Sequence, residues 1–544
     1  MSQIAIVMKK IFVLLFFLSS YHGFSQEDAW VYFNDKPSAQ TFFDNPLSEL
    51  SQKSLDRRTA QNISLNSNDA PIEQSYISAV SSATGIEVKA KSKWLNCLHI
   101  RGSISDIQAL TNLPFVNHVH FTDQALNAKM ASHKPFKTIN KQMNVQEVFN
   151  YGNSANQVQM LNVNLLHQAN YTGTGKIIAV LDSGFTGVST IIPFNRFFTH
   201  GQYLGGYNYV ANNADIFSTH FHGTMTLSCM TGYVDGQLVG TAPDAQYYLF
   251  ITEDVASENP VEESYWVQAA EEADRLGVDI ISTSLGYFEY DNPSYSHTYE
   301  EMTGNTAFAS QGANIAFSKG IIVVASAGNS GGSINPHIGV PAEATNVLAV
   351  GAVQFDRTYA AFSSIGPSFD GRIKPDVMAK GQNATVSNTA GNIVTVSGTS
   401  FSCPIMAGAI ASFWQAVPTL TNQQVVDFVK QSADRFTNPT AEYGYGIPDF
   451  QLALNSAQQL TNTTNSEKIF LVYPNPFHDQ LIFSFPNDFE EAKVSFYNAL
   501  GQLLFEKNIS NSDAIISLSD LFSGIYFYKI KSHLFVQSGK IIKN

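Results

Sequence analysis

Between about Gln159 and Leu460 the chain carries short apolar runs: Ile177-Ile-Ala-Val-Leu181, Tyr247-Tyr-Leu-Phe-Ile251, Ile280-Ile281, Ile321-Ile-Val-Val324 and Val347-Leu-Ala-Val350. They are rich in β-branched residues and lack alternation, the pattern of strands buried on both faces. Helical segments lie between them, the clearest being Val261 to Leu276 with Gly277 as its stop. Repeated strand–helix units predict an α/β domain with a mostly parallel central sheet and helices on both faces. In such sheets chemistry gathers at the carboxyl ends of the strands.

The pattern changes on either side of this block. From Glu27 to about Lys134 strand-like and helical stretches mix: Val31-Tyr-Phe33, a helix over Leu47 to Ala60, alternating Ile86-Glu-Val-Lys, and Leu95-Asn-Cys-Leu-His-Ile-Arg101. Ser103 is placed to cap a helix over Ile104 to Leu113, which Pro114 stops, and Val116 to Phe121 reads as a last strand. Ala125 to Ser154 has weak periodicity, as an exposed connector would. Past residue 460 comes the polar stretch Thr461-Asn-Thr-Thr-Asn-Ser466, read as a linker. Short runs such as Leu481 to Phe485, Lys493 to Tyr497 and Gly524 to Lys529 then predict a small β-sandwich of about seven strands. The expected divisions are a targeting segment at 1–25, a small α/β unit at 26–134, the main domain at 135–460, a linker at 461–467 and the sandwich at 468–544.

The targeting segment rests on Lys9 and Lys10, the apolar run Ile11 to Leu18 and small residues around Gly23 to Ser25. That is the layout of a secretory signal, and the run is shorter than the roughly 20 residues that span a bilayer. Hydrophobic residues make up 44% of the 544 and charged residues 14%, which fits an exported globular protein rather than a disordered one. A net charge of −14 leaves no basic footprint for nucleic acid. Three cysteines, Cys97, Cys229 and Cys403, are too few for a disulfide scaffold.

Candidate chemistry centres on Val396-Ser-Gly-Thr-Ser400-Phe-Ser-Cys-Pro404, a glycine turn feeding an apolar helix. Gly398 is free to take positive φ, Pro404 suits a helix start, and Ser400 falls where a helix N-terminus favours developing negative charge. Asp182 directly follows the apolar run 177–181, an odd place for a solvated charge, although an Asp capping a turn reads the same way. His220-Phe-His222-Gly-Thr224 enters another apolar helix; of the two histidines, His222 abuts the glycine and the helix start. Asn329 sits among glycines, as a turn former would, or as an amide presented to an oxyanion. A hydroxyl, an imidazole and a carboxylate are the requirements of nucleophilic catalysis.

These residues and the strings around them closely resemble the subtilisin-like serine proteases, or subtilases. The matching strings are Ile178-Ala-Val-Leu-Asp182-Ser-Gly, His222-Gly-Thr, Gly240-Thr-Ala-Pro243, Ser284-Leu-Gly286 and Ala325-Ser-Ala-Gly-Asn329. Phe362 to Pro367, Asp370 to Val377, Gly398-Thr-Ser400 and Gly444 to Asp449 continue them in order, over about 300 residues. The resemblance implies the subtilisin-like three-layer fold, with Ser400 as nucleophile, His222 as base, Asp182 orienting it and Asn329 holding the oxyanion. It implies that Ser284, Leu285 and Gly286 pair with an extended peptide, and that Gly339 lines the primary pocket. Asp376 matches a structural position. Met225 and Thr226 depart from the usual residues after the histidine, and Phe401 and Cys403 from those after the nucleophile; none is expected to touch a catalytic atom. Cys229 and Cys403 read either as buried thiols or as a disulfide pair.

The first unit, with Lys91-Ser-Lys-Trp94-Leu-Asn, resembles subtilase propeptides, which chaperone folding and inhibit the site until removed. Cleavage is expected between Thr122 and Asn144. The tail, with Val472-Tyr-Pro-Asn-Pro476, Asn498-Ala-Leu-Gly-Gln502 and Ser523-Gly-Ile-Tyr526, resembles the C-terminal sorting domain of the type IX secretion system of Bacteroidetes. The expectation is an exported serine endopeptidase, secreted or on the cell surface. Its partners would be protein or peptide substrates, its own propeptide and the secretion machinery, with no nucleic acid. No cofactor is implied; calcium stays open as an option, with no site readable for it. The alternatives are a peptidase of restricted, tripeptidyl type and a binding protein on a protease fold that has lost activity.

Overall fold

The computed structural model describes residues 26–127, 149–466, 470–484, 491–510, 513–531 and 536–544. The expected signal segment, and the expected cleavage window from residue 128 onward, lie outside the described residues. The chain divides between Leu454 and Asn455 into two compact units.

The first unit opens with β1 (Gln26–Phe33), α1 (Gln52–Ala60), β2 (Glu87–Ser92), β3 (Cys97–Ser103) and β4 (Val116–Phe121). The strands form one antiparallel sheet in the order β2-β3-β1-β4. Ser103 caps the helix Ile104–Ala109, its side chain accepting the Asp106 amide at 3.2 Å. A second, larger sheet follows, built from β5 (Ile177–Asp182) and β6 (Tyr203–Asn208), then β7 (Gln246–Ile251) after α2 (His222–Thr231). Next come α3 (Val261–Leu276), β8 (Ile280–Thr283), α4 (Phe308–Ser318), β9 (Ile322–Ser326), β10 (Leu348–Val353), β11 (Val377–Lys380) and α5 (Thr399–Ala416). All seven strands are parallel, in the order β11-β10-β9-β8-β5-β7-β6.

Ile177, Ala179 and Leu181 share a core with Trp266, Val267 and Ala270 of α3 and Ala309, Ala313 and Ala316 of α4. The intervening strand residues, Ile178 and Val180 among them, point to the other face, where α5 runs across β8 to β11. Both faces are thus covered, which is why the strands read as unbroken apolar runs. The edge strands β6 and β11 have no such run: β6 reads Tyr-Leu-Gly-Gly-Tyr-Asn and is half-buried through most of its length, and β11 is four residues long. Asp376, one residue before β11, is buried; its Oδ2 accepts the Ala349 amide at 2.8 Å and Lys374 Nζ at 2.8 Å. Its role is to pin the sheet edge.

The N-terminal sheet and α1 pack on α3 and α4. Trp30 stacks on Phe308 with ring centres 4.7 Å apart, and Trp30, Trp94 and Cys97 belong to the same core as α3 and α4. Glu271 of α3 accepts from Ser92 Oγ at 2.6 Å, Trp94 N at 2.9 Å and Lys93 N at 3.1 Å, so one carboxylate closes the β2–β3 turn. Arg57 and Arg58 of α1 both bind the Asp274 carboxylate, Arg58 at 2.7 Å, and Asp69 joins Arg58 at 2.7 Å and Lys319 at 3.0 Å. All five groups are at most 4% exposed. Buried charges of this kind persist only when paired.

The helix Phe450–Ser466 runs through the division between the units. Thr461 to Ser466, expected as a linker, are therefore its last turns. Asp449 accepts the Gln451 and Leu452 amides at 2.9 Å, and no Gly or Pro follows to end the helix, so weak local preference gives way to propagation. In the second unit β12 (Leu471–Tyr473), β13 (Gln480–Ser484) and β16 (Ile515–Ser517) form one antiparallel sheet. β14 (Glu491–Tyr497), β15 (Leu503–Ser510), β17 (Gly524–Lys531) and β18 (Val536–Lys543) form the other, in the order β15-β14-β17-β18. Leu481, Phe483 and Ile516 from the first meet Val494, Phe496, Ile530 and Ile541 from the second in one core. This is a β-sandwich of seven strands among the described residues.

The ion cluster yields a prediction. Asp274→Ala leaves the buried Arg57 guanidinium without a carboxylate and Arg58 with Asp69 alone, and lowers the stability of the first unit by about 3–5 kcal/mol. Asp274→Asn, which keeps an acceptor, costs less. Denaturant midpoints of the full-length variants check the ranking.

Candidate active site

β5 ends on Asp182, and α2 begins on His222. Their meeting depends on two glycines. Gly184 has φ 151°, and a Cβ there would lie 2.1 Å from Thr219 Oγ1 and 2.3 Å from His220 N. A Cβ on Gly223 would lie 2.5 Å from the Gly184 carbonyl oxygen. Only bare backbone lets the strand-end loop and the helix start approach this closely.

The result is a hydrogen bond of 2.7 Å between His222 Nδ1 and Asp182 Oδ1. Asp182 is fully buried. Its Oδ1 also accepts from Ser183 N at 2.8 Å and Ser183 Oγ at 3.3 Å. Burial works against a charged His222 ring, but the Asp182 charge, its hydrogen bond and the more distant Glu253 hold the imidazole above its ordinary value. His220 instead bonds Ser183 Oγ at 2.8 Å, and burial, with the His222 charge, lowers it.

Ser400 is the second residue of α5 and is 9% exposed. Gly398, just ahead, has φ 157° and ψ 151°, a conformation that favours glycine. Pro404 lies within the helix and has no N–H to give the carbonyl four residues back, that of Ser400. Ser284 Oγ donates to that carbonyl instead, at 2.8 Å, while Ser400 Oγ lies 3.5 Å from the Ser284 carbonyl. The segment after β8 is thereby tied to the helix start. The ring of Phe401 lies beside that of His222, centre to centre 6.1 Å, so the start of α5 and the Asp182–His222 pair share one locality.

Asn329, exposed in the loop after β9, accepts from Thr399 N at 2.9 Å and Thr399 Oγ1 at 3.0 Å through Oδ1. With its oxygen committed to donors, its amide nitrogen is the face left for an acceptor. Leu285 is half-buried and Gly286 exposed, and Tyr287 pairs with Val340 (2.8 and 3.2 Å) to hold this edge beside Gly339. A Cβ on Gly339 would approach the Tyr287 carbonyl to 3.1 Å, so glycine keeps that wall low.

Two residues beyond the expected set belong here. Thr226, expected to touch no catalytic atom, donates from Oγ1 to Asp182 Oδ2 at 3.0 Å. The signal was its spacing: residues four apart on a helix share a face, and His222 faces Asp182. Glu253, half-buried past the end of β7, accepts from Thr252 Oγ1 at 2.7 Å and Tyr287 Oη at 2.8 Å. Burial, with Glu258 and Asp182 nearby, pushes its carboxyl up to about 8. Cys97, Cys229 and Cys403 are all buried and free, so Cys229 and Cys403 form no disulfide. Among the described residues, no group of three or more His, Cys, Asp or Glu side chains is arranged to hold a metal ion, and no helix is long and apolar enough to cross a membrane.

Comparison with known proteins places these features. The Subtilase family profile matches residues 173–446, the Peptidase S8 propeptide domain of Bacteroidota matches residues 28–138, and the secretion system C-terminal sorting domain matches residues 471–544. Subtilisin BL of Lederbergia lenta is 30% identical over 290 residues, 53% of this chain and 93% of that protein. The alkaline protease of Alkalihalobacillus alcalophilus is 30% identical over 291 residues, 53% of this chain and 66% of that one. The crystal structure of MycP1 with the N-terminal propeptide removed superposes with a TM-score of 0.43 at 22% identity, covering 55% of this chain and 96% of that one. Between a propeptide domain and a sorting domain, the chain carries a peptidase domain that belongs to the subtilase family.

Proposed function

We propose that the protein is a secreted serine endopeptidase that cleaves peptide bonds through an acyl-enzyme formed on Ser400. The observation that carries this is the bond between the buried Asp182 carboxylate and His222 Nδ1. It commits Nδ1 as the donor and leaves Nε2 free to take a proton. An extended peptide adds to the Ser284–Gly286 edge, with its side chain beside Gly339. Ser400 Oγ attacks the carbonyl carbon and its proton passes to His222 Nε2. The tetrahedral oxyanion takes hydrogen bonds from Asn329 Nδ2 and the Ser400 amide. Collapse expels the amine, which leaves with the proton from His222. Water, deprotonated by the same nitrogen, then frees the acid and restores the hydroxyl. Before maturation the N-terminal domain acts as the inhibitor, and the C-terminal sandwich directs export through the type IX machinery to the medium or cell surface.

Labelling with a fluorophosphonate, followed by mapping of cleaved peptides, tests the assignment. The wild-type chain takes the label and Ser400→Ala does not; equal labelling, or no cleavage of any protein by the mature form, defeats it. Asn329→Ala lowers kcat by about 10²–10³, the size known for loss of this donor in the related subtilisin. The base must be neutral to accept a proton, and His222 is held above its ordinary 6.5. Accordingly kcat/KM rises with pH along a limb centred above that value, which a pH–rate profile reads directly.

A further inference from the structure

Thr226 is 1% exposed and lies one helical turn after His222 on α2. Its single hydroxyl proton has two acceptors in reach: Asp182 Oδ2 at 3.0 Å and the Gly223 carbonyl at 3.1 Å. A helical threonine ordinarily gives its proton to a carbonyl three or four residues back. Here a buried carboxylate competes, and a charged acceptor forms the stronger bond. Oδ1 of that carboxylate is held by His222 Nδ1, Ser183 N and Ser183 Oγ. Among the described residues Thr226 is the donor on Oδ2.

We propose that Thr226 is a positioning residue for the Asp182–His222 pair, its hydroxyl fixing the second carboxylate oxygen and drawing charge away from the imidazole. With donors on both oxygens the carboxylate cannot rotate, so Oδ1 stays in line with Nδ1. A valine would fill the same space and supply no donor. The carboxylate would then turn more freely and present more of its charge to the ring. The other titratable groups around the pair are His220 ahead of α2, Glu253 past β7 and Cys403 on α5, and the substitution leaves all three in place.

This inference rests on His222 being the general base, and the test separates the two claims. In Thr226→Val the acid limb of kcat/KM moves to higher pH by about half a unit to one unit, because a less shielded carboxylate favours the imidazolium. At the optimum kcat falls about ten- to 150-fold, the range for a lost hydrogen bond to a charged group, while KM is unchanged because Thr226 touches no substrate. Thr226→Ser restores both. In parallel, the titration of His222 is followed by NMR in the full chain carrying Ser400→Ala, with the signal assigned by its loss in His222→Gln. Addition of Thr226→Val raises that midpoint, whatever the chain's catalytic competence. If the valine variant does not accumulate, Thr226→Ala carries the same test. Unchanged midpoint and kcat in the variants lacking the hydroxyl, or a serine variant as impaired as valine, overturns the role of Thr226. Loss of Ser400-dependent hydrolysis altogether would overturn the proposed function and leave the NMR result to decide Thr226.

Discussion

A carboxylate shut off from water must be surrounded by donors, and the arrangement around Asp182 follows from that requirement. The residue sits at the end of β5, an inner strand of a sheet covered on both faces, where there is no solvent. Its four donor contacts come from its own neighbour Ser183 and from one face of α2, through His222 and Thr226. The helix is therefore placed as much by the need to satisfy a buried charge as by apolar packing. The same need orients the imidazole, so structural and chemical demands coincide at one residue.

Satisfying that charge requires backbone segments to come closer than side chains normally allow. Gly184 and Gly223 supply the clearance between β5 and α2. At the other side of the site the device is a missing donor. Pro404 leaves the Ser400 carbonyl unclaimed by the helix, and Ser284 takes it, coupling the Ser284–Gly286 segment to the backbone of Ser400. Displacement of that segment would thus be felt at Ser400 through one hydrogen bond, without any change in the Asp182 or His222 side chains.

Much of this was legible in the sequence, for identifiable reasons. The inner strands declare themselves because burial on both faces leaves no room for polar residues, and α3 spans Val261 to Leu276 as its periodicity and glycine stop indicate. Asp182, His222, Asn329 and Ser400 stand out because each ends an apolar run or lies within two residues of a glycine. What escaped was of three kinds. The edge strand β6 lacks the pattern of doubly buried strands, and β11, though buried throughout, offers only Val-Met-Ala before Lys380. The end of the helix Phe450–Ser466 depends on propagation rather than on the preference of its Thr and Asn residues. Thr226 passes for an ordinary helical residue until Asp182, remote in sequence, is brought beside it.

The interface between the N-terminal domain and the peptidase domain obeys the same logic with a different outcome. It joins an aromatic stack, Trp30 on Phe308, to the Arg57–Arg58–Asp274–Asp69–Lys319 ion cluster. Trp30 Nε1 and His99 Nδ1 both reach Ser264 Oγ at 2.8 Å, and His99 Nε2 reaches Asp28 at 2.9 Å, so the domain is held by directed bonds as well as area. Within one chain these contacts form at the high effective concentration set by the connector; once it is cut, they depend on the concentration of the two pieces. Separation also returns Asp274 and its arginines to water, recovering the hydration lost on burial. Tight association before cleavage and escape on dilution afterwards are thus compatible with a single set of contacts, and no conformational change is needed to explain both.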